Sequence, residues 1–253
     1  DGLNGLKHVL ILKVNNNQSL KTFEGFGEVK TIDILHIGNN ASLINLTGLE
    51  SVESITTIIS ISLCPSLSSL SGLSRLKAVD FFGIRDCPIV SVNALENLKT
   101  LNGISIENTS ITSLHGLEKL TEIKSIYIHR NENLLSMEGL QNLKSVHQTL
   151  SIYQNFSLAS IQHLTGIVIC TPAISGNGVD LFIINNTALT SLDGLQNINV
   201  FNGKIMVTDN ALLTDLCELE NVLTIGSFTS PVVISNNTYN PTVTDILAGN
   251  CSQ

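Results

Sequence analysis

A pair of apolar residues with one residue between them recurs along this chain with a period near 23. Ten such pairs, spaced 22 to 31 residues apart, run from Leu12/Val14 to Val232/Ile234. Residues two apart point to the same face of an extended strand. A unit this short has an apolar side that it cannot bury alone, so its copies must stack on one another. The period therefore predicts a solenoid with one strand per coil.

The composition is typical of a stack of similar layers. Hydrophobic residues make up 43% of the 253 residues, yet aromatic residues are only 4% and Trp is absent. Leu, Ile and Val must therefore fill the core. The net charge is −8 without a basic stripe, which argues against nucleic-acid binding because phosphate contacts supply most of that affinity. No stretch approaches the roughly 18 continuous apolar residues of a membrane span.

The fifth residue after the first member of each pair is Asn, Cys or Thr in all ten units. In a stack this position turns inward, where its side chain can hydrogen-bond the buried turn backbone of neighbouring coils. We expect its amides to be buried, so glycosylation signals that begin on it are coincidences of the repeat. These positions, named the ladder, are Asn17, Asn40, Cys64, Cys87, Thr109, Asn131, Asn155, Asn186, Asn210 and Asn237.

The strand half L-x-I-x-x-N and the return half L-x-G-L, as in Leu35 to Leu49, resemble leucine-rich repeats, and most closely the receptor-L-domain-like repeats of bacterial surface proteins. The ending from Asn236 to Cys251 resembles the C-terminal caps of secreted Bacteroidetes repeat proteins. We predict a β-rich α/β leucine-rich-repeat solenoid of about ten right-handed coils of 22–24 residues. It has one parallel sheet and short 3₁₀, helical or extended returns. The resemblance implies a ligand surface on the strand face.

We predict that residues 1–253 form a single solenoid. Residues 1–11 are a truncated first repeat, because Leu3 to Leu6 matches the return half Leu46 to Leu49 and the chain opens in mid-repeat. Residues 166–179, with Pro172, form an insertion loop that is either a binding element or a tolerated decoration. Residues 232–253 form a C-terminal cap.

The five cysteines fit no zinc motif. Cys64 and Cys87 fall on the ladder and are expected to be buried thiols. Cys217 and Cys251 are candidates for a disulfide that pins the C-terminal cap across 34 residues and implies an oxidising compartment. Cys170, in the insertion, is left over. We expect neither a metal nor a cofactor.

The outward strand positions change character along the chain. Repeats one to five carry mostly small or polar groups there, whereas repeats six to eight carry aromatic side chains in a chain that has few of them. Aromatic and Arg anchors dominate many protein interfaces, and stacked aromatic rings with amide donors also suit sugars. The alternative is ordinary cross-strand pairing that covers the sheet. The candidate ligand-binding residues are Tyr127, His129, Arg130, Tyr153, Gln154, Phe182 and Ile184.

These observations favour a non-catalytic, secreted or surface-displayed recognition and adhesion module that binds a protein or a glycan. The alternative is a structural spacer within a larger surface adhesin. A polysaccharide-acting enzyme is the weaker hypothesis, because it needs paired carboxylates in a cleft. The outward carboxylates Asp86, Glu107 and Asp209 are too dispersed along the sequence to form such a pair.

Overall fold

The computed structural model describes residues 5–170, 179–228 and 231–253. Contacts within the chain divide it into two compact units, Asp1–Leu120 and Thr121–Gln253, named here the first and second units. Both are built from parallel strands stacked coil on coil, with about nine turns in all. The predicted β-rich solenoid class is confirmed. No helix in the described ranges is both long enough and apolar enough to cross a membrane.

In the described part of the first unit, five strands pair in parallel in chain order. A short 3₁₀ helix, Asn93–Leu95, lies in the return between the last two strands. The inward residues of successive strands stand in register, so that Leu12, Leu35 and Ile59 form one row. The strands are β1 (His8–Asn15), β2 (Thr31–Gly38), β3 (Ser54–Ser62), β4 (Ala78–Arg85) and β5 (Thr100–Glu107).

The second unit continues the same pattern with longer and shorter strands. Two successive segments, β8 and β9, lie in one coil, and each pairs with β7 on one side and β10 on the other. The strands are β6 (Glu122–His129), β7 (Ser145–Tyr153), β8 (Ile169–Cys170), β9 (Val179–Ile184), β10 (Val200–Thr208), β11 (Ser227–Phe228) and β12 (Val233–Ser235). The helices are the 3₁₀ helix Gln162–Leu164, α1 (Leu219–Ile225) and α2 (Val243–Leu247).

The return motif L-x-G-L has a steric cause. In the coil that carries β2, Gly48 has φ of +109°, a backbone conformation that residues other than glycine rarely adopt. A Cβ added there would also collide with the backbone carbonyl of Phe23 in the preceding coil. Leu46 and Leu49 on either side are completely buried. The glycine therefore lets consecutive returns approach closely while the flanking leucines fill the core.

Residues at both ends of the predicted insertion, 166–179, take part in the stack. Ile167 and Cys170 are buried, and β8 pairs with its neighbours on both sides. Val179 is also buried and begins β9. Aliphatic residues at these ends continue the coil despite the longer spacing. Pro172, Gly176 and Gly178 lie outside the described residues.

Candidate functional site

The ladder side chains of the second unit hold consecutive coils together by a directional set of hydrogen bonds. The Oδ1 atom of Asn186 accepts from the backbone N–H of Asn155 at 3.1 Å. Its Nδ2 donates back to the carbonyl of Ile152 at 2.9 Å. Asn155, Asn210 and Asn237 reach back to the preceding coil in the same way. Each asparagine therefore satisfies a donor and an acceptor that burial would otherwise leave unpaired.

The ladder positions of the first unit carry three residue types, Asn, Cys and Thr. Asn40 donates from Nδ2 to the Val14 carbonyl at 2.7 Å, whereas the thiols of Cys64 and Cys87 donate to carbonyls of their own coils. Thr109 is buried at the same position. A hydrogen bond to Cys64 and burial raise the pKa of Cys87, which disfavours its thiolate.

The expectation that every ladder amide is buried is wrong for Asn17. This residue is exposed, because β1 has a neighbouring strand on one side only among the described residues. Its backbone N–H still donates to Asn40 Oδ1 at 2.9 Å, so the ladder begins here. Burial depends on a coil on each side, and the repeat pattern alone does not say where the stack ends.

A second, outer row of residues adjoins the ladder and was not predicted. The residue before each ladder position has a positive φ between 50° and 61° in all ten coils. Seven of the ten are Asn or Asp, the residues that tolerate this left-handed conformation best, so the signal was present in the sequence. Their side chains also pair between coils, as when Asn236 donates to Asp209 Oδ1 at 2.9 Å.

Arg130 and Gln154 belong to this outer row. They were predicted as outward strand residues, but β6 ends at His129 and β7 ends at Tyr153. Both have φ of +55°, and Arg130 Nε donates to Gln154 Oε1 at 3.1 Å. They therefore lie in the turns at the ends of two strands. This places them beside the strand face rather than on it.

The other five candidate residues lie on the outward face of β6, β7 and β9, in two rows. His129, Tyr153 and Ile184 are consecutive partners across the sheet. Tyr127 and Phe182 lie in the next row, on either side of Ser151. All five are half-exposed, and we name them together the aromatic patch. Partners in register on adjacent strands are close enough for their side chains to touch.

Ring contacts order the aromatic patch. The ring of His129 lies edge-on to both tyrosines, with centroids 5.8 Å from Tyr127 and 5.7 Å from Tyr153. Its Nε2 is 2.8 Å from Ser151 Oγ, which fixes the imidazole between the two rings. Edge-to-face contacts of this kind add about 0.5–1.5 kcal/mol beyond the area they bury. The three rings therefore present a pre-ordered surface.

The far side of the aromatic patch carries a cation. Lys204 on β10 places its Nζ 5.4 Å from the centre of the Phe182 ring. Met206, the partner of Phe182 on β10, is half-exposed and extends the apolar surface by one strand. A ligand here would meet apolar area, the hydroxyls of two tyrosines and a positively charged rim.

The C-terminal cap of the second unit is held covalently. Cys217 and Cys251 are joined by a disulfide, and the Leu216 N–H donates to the Cys251 carbonyl at 3.0 Å.

Burial, together with the neighbouring carboxylates of Asp193 and Asp215, raises the pKa of Glu218 to about 7. Within the described residues, no group of three or more His, Cys, Asp or Glu side chains could hold a metal ion.

Neither protein-family models nor curated protein sequences give a match to this chain.

Proposed function

We propose that this chain is a leucine-rich-repeat recognition module with receptor-L-domain-like repeats, and that it binds a protein or glycan ligand through the aromatic patch. The observation that carries the proposal is the register of the aromatic patch. Five half-exposed side chains, three of them Tyr or Phe and one the imidazole of His129, meet on three adjacent strands. Only 4% of the chain is aromatic, so their convergence on one surface is specific.

The chemistry of the aromatic patch suits recognition better than simple coverage of the sheet. Half-exposed aromatic rings bury large areas when a partner arrives, and they cost little side-chain entropy because few torsions must be fixed. Tyr127 and Tyr153 also carry hydroxyls that can hydrogen-bond a peptide or a sugar. Arg130 directly follows β6, the strand that carries Tyr127, and its side chain is exposed.

The proposed location is outside the cell, either secreted or at the cell surface. The Cys217–Cys251 disulfide supports this location, because such bonds persist in oxidising compartments. The strand and return motifs support the leucine-rich-repeat assignment, as does the inward file of asparagines that bonds each coil to the next.

The test begins with a screen of the purified chain on a glycan array and a protein array. Binding of the best ligand is then measured with a variant that carries Tyr127→Ser, Tyr153→Ser and Phe182→Ser. We expect at least a hundredfold loss of affinity, because three anchors of about 1–2 kcal/mol each are removed, about 3–6 kcal/mol in all. Phe156→Ser is the matched control, since this ring is 41% exposed but lies in a return turn after β7.

Unchanged affinity in the triple variant would discard the aromatic patch as the ligand site. A second proposal, the spacer within a larger adhesin, is favoured by the first unit, whose outward strand positions include His36, Ser60 and Gly83 and offer few anchors. The spacer proposal predicts that neither array yields a ligand. The wild-type and triple-variant chains should then give the same background signal on both arrays.

A further inference from the structure

We propose that Cys64 and Cys87 form a paired oxidation site, at which hydrogen peroxide joins two adjacent coils of the first unit by a disulfide. Both thiols are free, and both are completely buried or nearly so. Cysteine occupies the ladder position in these two consecutive coils and in no other coil of the repeat. This proposal does not depend on the aromatic patch, which lies in the second unit.

The register of the sheet places the two sulfur atoms beside each other. Ser62 of β3 and Arg85 of β4 are partners, and each cysteine lies two residues beyond one of them. Parallel strands lie about 4.8 Å apart, which is within the Cα separation of roughly 4.4–6.8 Å that a disulfide spans. Ladder side chains of consecutive coils are in contact elsewhere in the stack, at 3.3 Å between the coils of β1 and β2. The Cys64 and Cys87 thiols are likewise hydrogen-bonded to each other.

The two cysteines leave the ladder with weak hydrogen bonds in these coils. Each thiol donates to a carbonyl of its own coil at 3.3 Å, Cys64 to Ser62 and Cys87 to Arg85. Asn40, by contrast, donates from its amide to a carbonyl of the preceding coil at 2.7 Å. Sulfur is a weak donor and a weak acceptor. A disulfide would therefore add a covalent link between coils at the place where the ladder's hydrogen bonds are weak.

The surroundings of the two thiols assign them different roles. Hydrogen bonds from Cys87 and from Asn40 outweigh burial and lower the pKa of Cys64. The hydrogen bond to Cys64 and burial raise the pKa of Cys87. Because the thiolate is the nucleophile, Cys64 is the residue that attacks the oxidant and Cys87 is the residue that closes the disulfide. Hydrogen peroxide suits a buried pair, since it is a small molecule and needs only a local opening of the turn.

The reaction proceeds in two displacements. In the first, the Cys64 thiolate attacks one peroxide oxygen, so that an S–O bond forms, the O–O bond breaks, and the departing hydroxide takes a proton to become water. In the second, the Cys87 sulfur attacks the sulfenic acid on Cys64, so that the S–S bond forms and the S–O bond breaks. The departing hydroxide takes the thiol proton of Cys87 and becomes a second water. Two thiols thus lose two electrons, and one peroxide is reduced to two waters.

The test treats the full-length protein with hydrogen peroxide, unfolds it in urea with iodoacetamide, and counts alkylated cysteines by mass spectrometry. We expect one of the three free cysteines to remain alkylatable after treatment. It is Cys170, because burial raises its pKa to about 12 and disfavours its thiolate. Trypsin separates Cys64 and Cys87 into the fragments 31–75 and 86–99, which should stay linked until the disulfide is reduced.

Two matched variants test the roles of the two sulfurs. Cys87→Ser keeps a hydroxyl that can donate to Cys64 but removes the second sulfur, so a sulfenic acid should persist and react with dimedone. Cys64→Ser leaves the thiol whose pKa is raised, so its oxidation should be at least about tenfold slower than that of Cys64 in the other variant. Circular dichroism before treatment checks that both variants fold.

The disulfide should also hold the two coils together. It closes a loop of about 23 residues, and a loop of that size favours the folded state by about a hundredfold. Amides of β3 and β4 that exchange only when the coils separate should therefore exchange about a hundredfold more slowly in the oxidised wild type. Neither variant should show this change.

Three results would overturn the proposal. The first is alkylation of all three free cysteines under conditions that fully oxidise a short cysteine peptide, which would make the pair inert core residues. The second is a sulfinic acid on Cys64 without linked fragments, which would mean that the two sulfurs cannot meet. The third is a disulfide to Cys170 or between two chains, the latter visible as a dimer on a non-reducing gel.

Discussion

Replacing Asn186 with alanine is the sharpest test of the ladder, because this side chain is completely buried and hydrogen-bonds to residues of both neighbouring coils. Its Oδ1 accepts from the N–H and Nδ2 of Asn155, and its Nδ2 donates to the carbonyl of Ile152 at 2.9 Å. Alanine removes the partners of two buried backbone groups. Each such loss costs about 1–3 kcal/mol, so Asn186→Ala should destabilise the protein by about 3–5 kcal/mol.

The chain contains its own control. Asn17 has the same residue type and the same place in the repeat, but it is exposed and its ladder partner lies on one side only. Water can replace the contacts of its side chain, so Asn17→Ala should cost less than about 1 kcal/mol. Asn186→Asp tests the donor role of the side chain separately from its acceptor role. The aspartate keeps an oxygen for the Asn155 N–H, but it cannot donate to the Ile152 carbonyl, and it buries a charge. It should therefore destabilise at least as much as alanine.

Urea unfolding followed by far-ultraviolet circular dichroism measures these differences. Hydrogen exchange of the Asn155 amide supplies a local measure, because two compact units need not unfold in one step. A cost for Asn186→Ala within about 1 kcal/mol of that for Asn17→Ala would refute the reasoning. The buried amides would then contribute little beyond filling space.

Three further perturbations follow from the second unit and from the outer row. Replacing Cys217 and Cys251 by serine should cost about 3–4 kcal/mol, the chain-entropy value for a loop of 34 residues, measured as a lower urea midpoint. Leu63→Asn should stabilise by about 1 kcal/mol in the same assay, because Leu63 is 50% exposed and has φ of +54°. The raised pKa of Glu218 means that the folded protein binds a proton more tightly than the unfolded chain, so stability should fall as pH rises from about 4.5 to about 7. Glu218→Gln should abolish that loss and be more stable at pH 8 by about 1 kcal/mol, after allowance for screening by solvent; an unchanged pH profile would contradict the assignment.

The inward residues could be read from the sequence because two constraints coincide at every coil. A pair such as Ile126 and Ile128 has strand spacing, and Asn131 follows it at a fixed distance. The aliphatic pair buries the strand and the asparagine allows its turn to be buried. A chance pattern would not keep both features in phase through ten coils. The structure places both aliphatic residues and the asparagine in the interior.

The turn between strand and ladder was misread because its requirement is on the backbone and only partly on the side chain. Asn and Asp at most of these positions indicate a left-handed residue, but Arg130 and Gln154 carry no such signal and look like strand residues by alternation. Neighbouring coils force the conformation on them. The same kind of tertiary constraint explains α1, whose seven residues occupy a return that the repeat would leave extended or in a single turn.

Within each coil, the residues that stabilise the fold differ from those that form its outer face, and this explains why the fold can carry a ligand surface. The interior pairs and the ladder asparagines stabilise the stack, whereas Tyr127, Tyr153 and Phe182 point away from both. Their replacement leaves every ladder hydrogen bond in place and exposes no core residue. The triple serine variant should therefore stay folded, with a free energy of unfolding lowered by about 1–3 kcal/mol because the two ring contacts of His129 are lost. Loss of ligand binding in a variant that still unfolds cooperatively then reports on recognition, whereas loss of binding together with loss of the fold would mean that the aromatic patch is part of what holds the coils together.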